Sequence, residues 1–323
     1  MNEGRWEDDR GGHLWKKDRE VVTDDGARIR YTVRGPEDGP WLVLAAGFLC
    51  PDNFWMFIGP RLMERYRVVV MNYRGVGASS HPRPPGYRTV NVDKEDYTIG
   101  KFAGDVTAVI EAEDASEVTV LGHSMGVQVA LELWRQQPER VAALVLVTGP
   151  YASPLHTFYG SKLGTHLFPF AYLGLPLLPR PVQRGILKIV HTPIAMPIAR
   201  FIRALGPDTP AEGMHLYFEH LRNVDPMIGL KIARGMHDFD SEAWLDQVDA
   251  PTLVVVGSRD TFSPPELGRF MVDQLPDGEL VEIEGGTHGA LIEFPDEIHD
   301  AVVDFLERRL GHGGASAAVS NQR

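Results

Sequence analysis

The pentapeptide Gly122-His123-Ser124-Met125-Gly126 is the part of the chain best suited to chemistry. It follows the β-branched run Val118 to Leu121 and precedes the helical pattern Val127 to Trp134, so the serine falls at a strand-to-helix turn. A hydroxyl becomes a useful nucleophile only when such a turn holds it exposed, and the flanking glycines remove side chains that would collide there. Taken alone, G-x-S-x-G is a weak signal; between a buried strand and a helix it is a strong one. A serine so placed needs a base to accept its proton and a carboxylate to hold that base in the right tautomer. Both residue types occur past later strands. The run Thr252 to Val256 leads into Gly257-Ser258-Arg259-Asp260, and Leu280 to Ile283 leads into Glu284-Gly285-Gly286-Thr287-His288-Gly289. Asp260 and His288 are therefore the candidate acid and base, and acyl transfer is the chemistry that the three residue types allow.

Carrying three side chains from distant segments to one place requires strands whose C-terminal ends line up. Short β-branched runs at Trp41 to Ala45, Arg67 to Met71, Val118 to Leu121, Ala142 to Val147, Thr252 to Val256 and Leu280 to Ile283 alternate with helical patterns. That alternation predicts an α/β fold, a mostly parallel sheet flanked by helices. Glu20 to Thr23 and Arg28 to Arg34, on either side of Asp24-Asp25-Gly26, read as an opening hairpin. No strand-like run occurs between Pro150 and about Val248, where helical stretches such as Pro181 to His191 and Glu212 to Arg222 are interleaved with Pro, Gly and aromatics. The expected organisation is an N-terminal extension (1–18), a core (19–149 and 249–310), an inserted helical cap (150–248) and a small, polar tail (311–323) expected to be disordered.

Composition removes several function classes. The chain has 323 residues, 43% of them hydrophobic, and a net charge of −12 that disfavours nucleic acid as a partner. One cysteine, Cys50, excludes an internal disulfide framework and multi-cysteine metal sites, and reads as a small buried residue. The first twenty residues mix both charges without an apolar stretch, and Leu163 to Pro179 is interrupted by Pro169 and Pro176, so neither a secretory signal nor a spanning helix is expected. A cytoplasmic location is the default expectation. Gly75-Val76-Gly77 lacks the third glycine of a phosphate loop, and no cofactor or metal is implied.

The motifs G-H-S-M-G at 122–126, N-Y-R-G-V-G-A-S at 72–79, P-T-L-V-V-V-G-S-R-D at 251–260 and G-G-T-H at 285–288 resemble those of the α/β-hydrolase superfamily, over roughly Val21 to Arg309. The resemblance implies Ser124 as nucleophile, Asp260 as orienting acid and His288 as general base. It implies an oxyanion hole from the main-chain N–H groups of Met125 and Phe48. Ala46 stands where relatives usually carry His, which removes any bracing by that side chain. Thr148-Gly149-Pro150 leaves an alternative acid position empty, and serine at the elbow disfavours the carboxylate-nucleophile chemistry of epoxide hydrolases and haloalkane dehalogenases.

The expected function is hydrolysis of carboxylic esters with apolar acyl groups, as in serine esterases and lipase-like enzymes. Thioester, lactone or carbon–carbon bond hydrolysis, perhydrolysis, and a non-catalytic ligand-binding role are the alternatives. Large apolar residues in the cap, among them Phe168, Phe170, Tyr172 and Leu173, are expected to line an acyl pocket. From Val141 through Pro207 there is no Asp or Glu, while Lys162, Arg180, Arg184, Lys188, Arg200 and Arg203 are present. This basic cap is a candidate for peripheral contact with an anionic membrane surface.

Overall fold

The computed structural model describes residues 16–50, 52–82, 94–156, 163–188, 195–201, 205–207 and 209–311. Its frame is one sheet of eight strands: β1 (Arg19–Val22), β2 (Arg28–Arg34), β3 (Trp41–Ala45), β4 (Arg67–Met71), β5 (Val118–His123), β6 (Val141–Val147), β7 (Thr252–Gly257) and β8 (Gly278–Ile283). Their spatial order is β1-β2-β4-β3-β5-β6-β7-β8. The pairs β1/β2 and β2/β4 are antiparallel, and every pair from β4 to β8 is parallel.

Central strands covered on both faces favour nearly continuous apolar runs, and β5 and β7 are buried throughout. Successive residues then serve opposite layers. Val43, Val69, Val120, Leu144 and Val254 pack on one side with Phe102, Val106 and Leu131. Leu42, Val68, Leu121, Val145 and Leu253 pack on the other with Trp55, Leu62, Val302 and Phe305. The first layer is covered by α1 (Ile99–Ala112) and α2 (Met125–Gln136). Thr98 starts α1 by accepting a hydrogen bond from the Lys101 N–H.

Among the described residues, five α-helices separate β6 from β7: α3 (Leu163–Gly174), α4 (Arg180–Lys188), α5 (Ala195–Phe201), α6 (Ala211–Asn223) and α7 (Pro226–Asp238). Among the described residues, no strand occurs between β6 and β7. Individual hydrogen bonds tie this segment to the frame. Asn53 Nδ2 donates to the Gly213 carbonyl of α6 at 2.6 Å. Gln128 of α2 donates to the carbonyls of Ala152 and Met236, the latter in α7. Gly235 lets α7 approach closely, since a Cβ there would stand 2.2 Å from the Tyr97 carbonyl oxygen. After β7 come α8 (Pro265–Gln274), β8, the short turn Ala290–Glu293 and α9 (Pro295–Leu310), which covers the second layer and ends at Gly311 in the left-handed region, φ 68°.

The Gly75-Val76-Gly77 segment is a tight turn just past the end of β4, an interior strand of the sheet. Both glycines have positive φ, and a Cβ on Gly77 would meet Asn72 Oδ1 at 2.6 Å. Buried Arg74 beside them donates to Asp105, which has no exposed side-chain surface, and to Asp25. Of the outlying segments, residues 1–15 and the tail 312–323 lie outside the described residues. Within the expected extension, Lys17 meets Asp52, and Asp18 accepts from Thr32 and Arg34.

Candidate active site

Register aligns the strand ends that carry the three residues. His123 at the end of β5 pairs with Val147 at the end of β6, Val147 with Val255, and Gly257 with Ile283 at the end of β8. The ladder continues one step past each strand, since Ser124 N–H donates to the Val147 carbonyl and Ser258 N–H to that of Ile283. Ser124 itself has φ 56° and ψ −117°, a conformation that non-glycine residues adopt at a cost of order 1–3 kcal/mol.

Backbone crowding makes this turn possible only with the glycines found there. A Cβ on Gly126 would stand 1.9 Å from the Ala45 carbonyl oxygen, and one on Gly122 would stand 2.3 Å from the Gly126 oxygen. Gly149, beyond β6, is held to the same standard: its Cβ would lie 2.4 Å from the Ser124 carbonyl oxygen. Close approach of α2 to the end of β3 brings the Ala46-to-Leu49 loop against Ser124. Gly47 is at its nearest point, where an added Cβ would be 3.1 Å from Ser124 Cβ. Phe48 lies in this loop, half-buried, and Met125 is the first residue of α2, where a helix N–H has no intrahelical acceptor.

The two remaining polar side chains converge on the serine. Ser124 Oγ and His288 Nε2 are 2.9 Å apart, and His288 Nδ1 is 2.9 Å from Asp260 Oδ2. The carboxylate accepts the Nδ1 proton, which leaves Nε2 bare to accept from the serine hydroxyl. Asp260 has no exposed side-chain surface, and its Oδ1 accepts from the N–H groups of Phe262 and Ser263. Its position is thus fixed by the turn it caps as well as by the imidazole. Phe262 stacks on the His288 ring with centroids 5.1 Å apart.

Two further residues brace the His288 loop, in roles that sequence patterns do not reveal. Glu293 accepts from the Thr287 N–H and hydroxyl, and also from the Gly206 N–H and Thr209 hydroxyl of the inserted segment. His123 Nε2 donates to the His288 carbonyl at 3.2 Å, while its ring stacks on Phe54 at 4.3 Å. Burial, and then the neighbouring His288, push the His123 imidazole down to about 3, so it is neutral. His123 was visible within the motif, but its hydrogen bond spans 165 residues and leaves no local pattern.

The four aromatic and apolar residues expected in an acyl pocket do not come together. Phe168 and Tyr172, one helical turn apart, are half-buried and face α7. Phe168 meets the His237 ring at 5.3 Å, and Arg234 lies 5.7 Å over the Tyr172 ring. Phe170 and Leu173 point away, 75% and 69% exposed. Cys50 is half-buried, donates to the Phe48 carbonyl, and has its thiol pushed up by burial, away from the thiolate form.

Comparison with known proteins bears on the same frame. A family described as alpha/beta hydrolase fold matches residues 40–169, and one described as TAP-like protein matches residues 229–310. A protein of Caulobacter sp. (strain K31) named carbamate hydrolase RutD is 26% identical over 275 residues, 84% of this chain and 92% of its own. The protein named oxidoreductase EphD of Mycobacterium bovis (strain ATCC BAA-935 / AF2122/97) is 29% identical over 328 residues, 94% of this chain and 52% of its own. Among solved structures, a hydrolase from Pseudomonas aeruginosa PA01 is 25% identical with a TM-score of 0.68, covering 89% of this chain and 97% of that one. The first family match takes in β3 to β6 and the second β7 and β8 of the one eight-stranded sheet, so this chain belongs to the α/β-hydrolase superfamily and is one of its hydrolases.

Proposed function

We infer that the protein is a serine hydrolase that cleaves carboxylic esters of apolar acyl groups through an acyl-enzyme intermediate. The observation that carries this reading is the unbroken run from Asp260 through His288 to a strained, glycine-flanked Ser124, with 2.9 Å at both contacts. Ser124 Oγ attacks the acyl carbon while His288 Nε2 takes its proton, and Asp260 stabilises the resulting imidazolium. The N–H groups of Met125 and Phe48 hold the oxyanion, a role supported by the approach of the Gly47 loop to the serine. His288 then returns the proton to the departing alkoxide. Water, deprotonated by the same imidazole, attacks the acyl-serine ester and releases the carboxylic acid.

The inserted residues 150–248 act in this reading as a cap that selects what reaches the serine. Phe262, stacked on His288, supplies apolar surface at the reacting end, and Phe168 and Tyr172 are the inner-facing cap candidates further out. A carbamate substrate is the second reading, supported by the name of the Caulobacter relative; its carbonyl is open to the same attack. Turnover of p-nitrophenyl esters from acetyl to medium chain, beside a matched carbamate, tests both. The ester reading expects efficiency to climb with chain length, as each buried methylene is worth about 0.8 kcal/mol. Hydrolysis of the carbamate with no ester turnover overturns it.

A further inference from the structure

An exposed apolar surface sits on the inserted helices. Seven of the nine exposed large apolar side chains among the described residues lie between positions 167 and 201. Leu167, Phe170, Leu173, Leu177, Val182 and Phe201 are 48–88% exposed. Helix α3 explains the arrangement. Its Phe168 and Tyr172 face α7, while Leu167, Phe170 and Leu173 are exposed, so among its described side chains large apolar groups lie on both the packed and the open face. A helix of that kind is ordinarily buried or meets lipid. Contiguous exposed apolar surface rimmed by polar groups marks a contact site.

The charge around this surface narrows the partner. The span from Val141 to Pro207 holds six Lys or Arg and no acidic residue, in a chain of net charge −12. Exposed Arg200 lies beside Phe201, and Arg180, at the start of α4, keeps 41% of its side-chain surface exposed while paired with Asp225. A two-fold contact between copies of the chain would set this acid-free, basic stretch of sequence against itself. An anionic bilayer supplies both an apolar interior for the exposed side chains and charge opposite to that of the stretch. We propose that the outer face of α3, α4 and α5 docks on anionic phospholipid bilayers, with the apolar side chains entering the headgroup boundary. Among the described residues, no helix is long and apolar enough to cross a membrane, so the contact is one of lying on the surface. The net negative charge of the other parts of the molecule disfavours other orientations and turns this face toward the lipid.

The test is co-sedimentation of the full chain carrying Ser124→Ala, which keeps lipid hydrolysis out of the readout and makes the result independent of the esterase reading. Vesicles of phosphatidylcholine alone and of phosphatidylcholine with phosphatidylglycerol are compared at low and high salt, with Phe170, Leu173 and Leu177 all changed to Ser in a second protein. Those three side chains are exposed, so the fold does not depend on them. The proposal expects binding to the anionic vesicles, weakened by salt, and about a hundredfold weaker partitioning in the triple variant. Three results overturn it: no sedimentation with either vesicle, equal sedimentation with both, or binding unchanged by the triple variant. A dimer in sedimentation velocity that the triple variant abolishes, without vesicle binding, replaces lipid with a second copy of the chain.

Discussion

The strand-end site and the inserted helices are built on opposite rules. Around Ser124 the backbone has almost no latitude: glycines at 122, 126 and 149 each stand where a Cβ would come within 2.5 Å of a carbonyl oxygen. Asp260 and His288 are held through both polar ends, and Glu293 ties down the loop between them and α9. The inserted segment is divided: α6 and α7 pack into the frame, with Met214, Leu221, Ile228 and Ile232 buried in its two apolar layers, while α3, α4 and α5 leave large apolar side chains in water. Positional precision is concentrated where Ser124 Oγ and His288 Nε2 lie 2.9 Å apart, and exposed apolar surface on the inserted helices. Fold alone does not dictate that division, but it separates the residues whose loss should stop chemistry from those whose loss should change access.

Substitutions on the two sides test the division most sharply. Ser124→Ala is expected to lower kcat by about 10⁶ with an unchanged urea midpoint, because it removes the nucleophile and no packing. Asp260→Asn is expected to cost about 10⁴ in kcat, since an amide no longer favours the tautomer that leaves Nε2 bare. Glu293→Gln weakens hydrogen bonds to Thr287, Gly206 and Thr209 together. It is expected to lower kcat about tenfold and the unfolding free energy by about 2 kcal/mol, read by ester turnover and urea titration. A loss in kcat as large as that of Ser124→Ala would give Glu293 a role beyond positioning.

Acid stability provides a smaller effect on the site side. The His123 imidazole is pushed down to about 3 in the folded protein, below its unfolded value, so the unfolded chain binds the extra proton first. Stability from this group is full above about pH 6.5 and is lost as pH falls toward 3, by at most about 1.4 kcal/mol per pH unit. Urea midpoints across that range, compared with His123→Asn, are expected to show a shallower slope in the variant. On the other side, Leu173→Ser is expected to change unfolding free energy by less than about 0.5 kcal/mol and to leave turnover of a short, water-soluble ester unaltered. A large loss there would mean that Leu173 is covered in solution.

What the sequence disclosed follows the same boundary. The central strands read clearly because sheets covered on both faces demand unbroken apolar runs, as at Leu253 to Val256. Ser124, Asp260 and His288 were legible because each follows such a run and is marked by glycine. Gly149 was not, since its constraint comes from the Ser124 carbonyl and not from its own neighbours. The faces of α3 were unreadable for a different reason. Apolar residues fall on its packed and open faces alike, so no periodicity distinguishes Phe168 and Tyr172, which meet His237 and Arg234 more than sixty residues away, from Phe170 and Leu173, which are 75% and 69% exposed. Direction there is decided by tertiary contact.

The central claim is that Ser124 is a nucleophile activated by His288. Its most direct test is reaction with a fluorophosphonate, followed by peptide mass mapping. The account predicts one label per chain, on the peptide containing Ser124, absent from Ser124→Ala and slowed by several orders of magnitude in His288→Ala. Labelling on another residue, or ester turnover that persists in fully labelled protein, would contradict it.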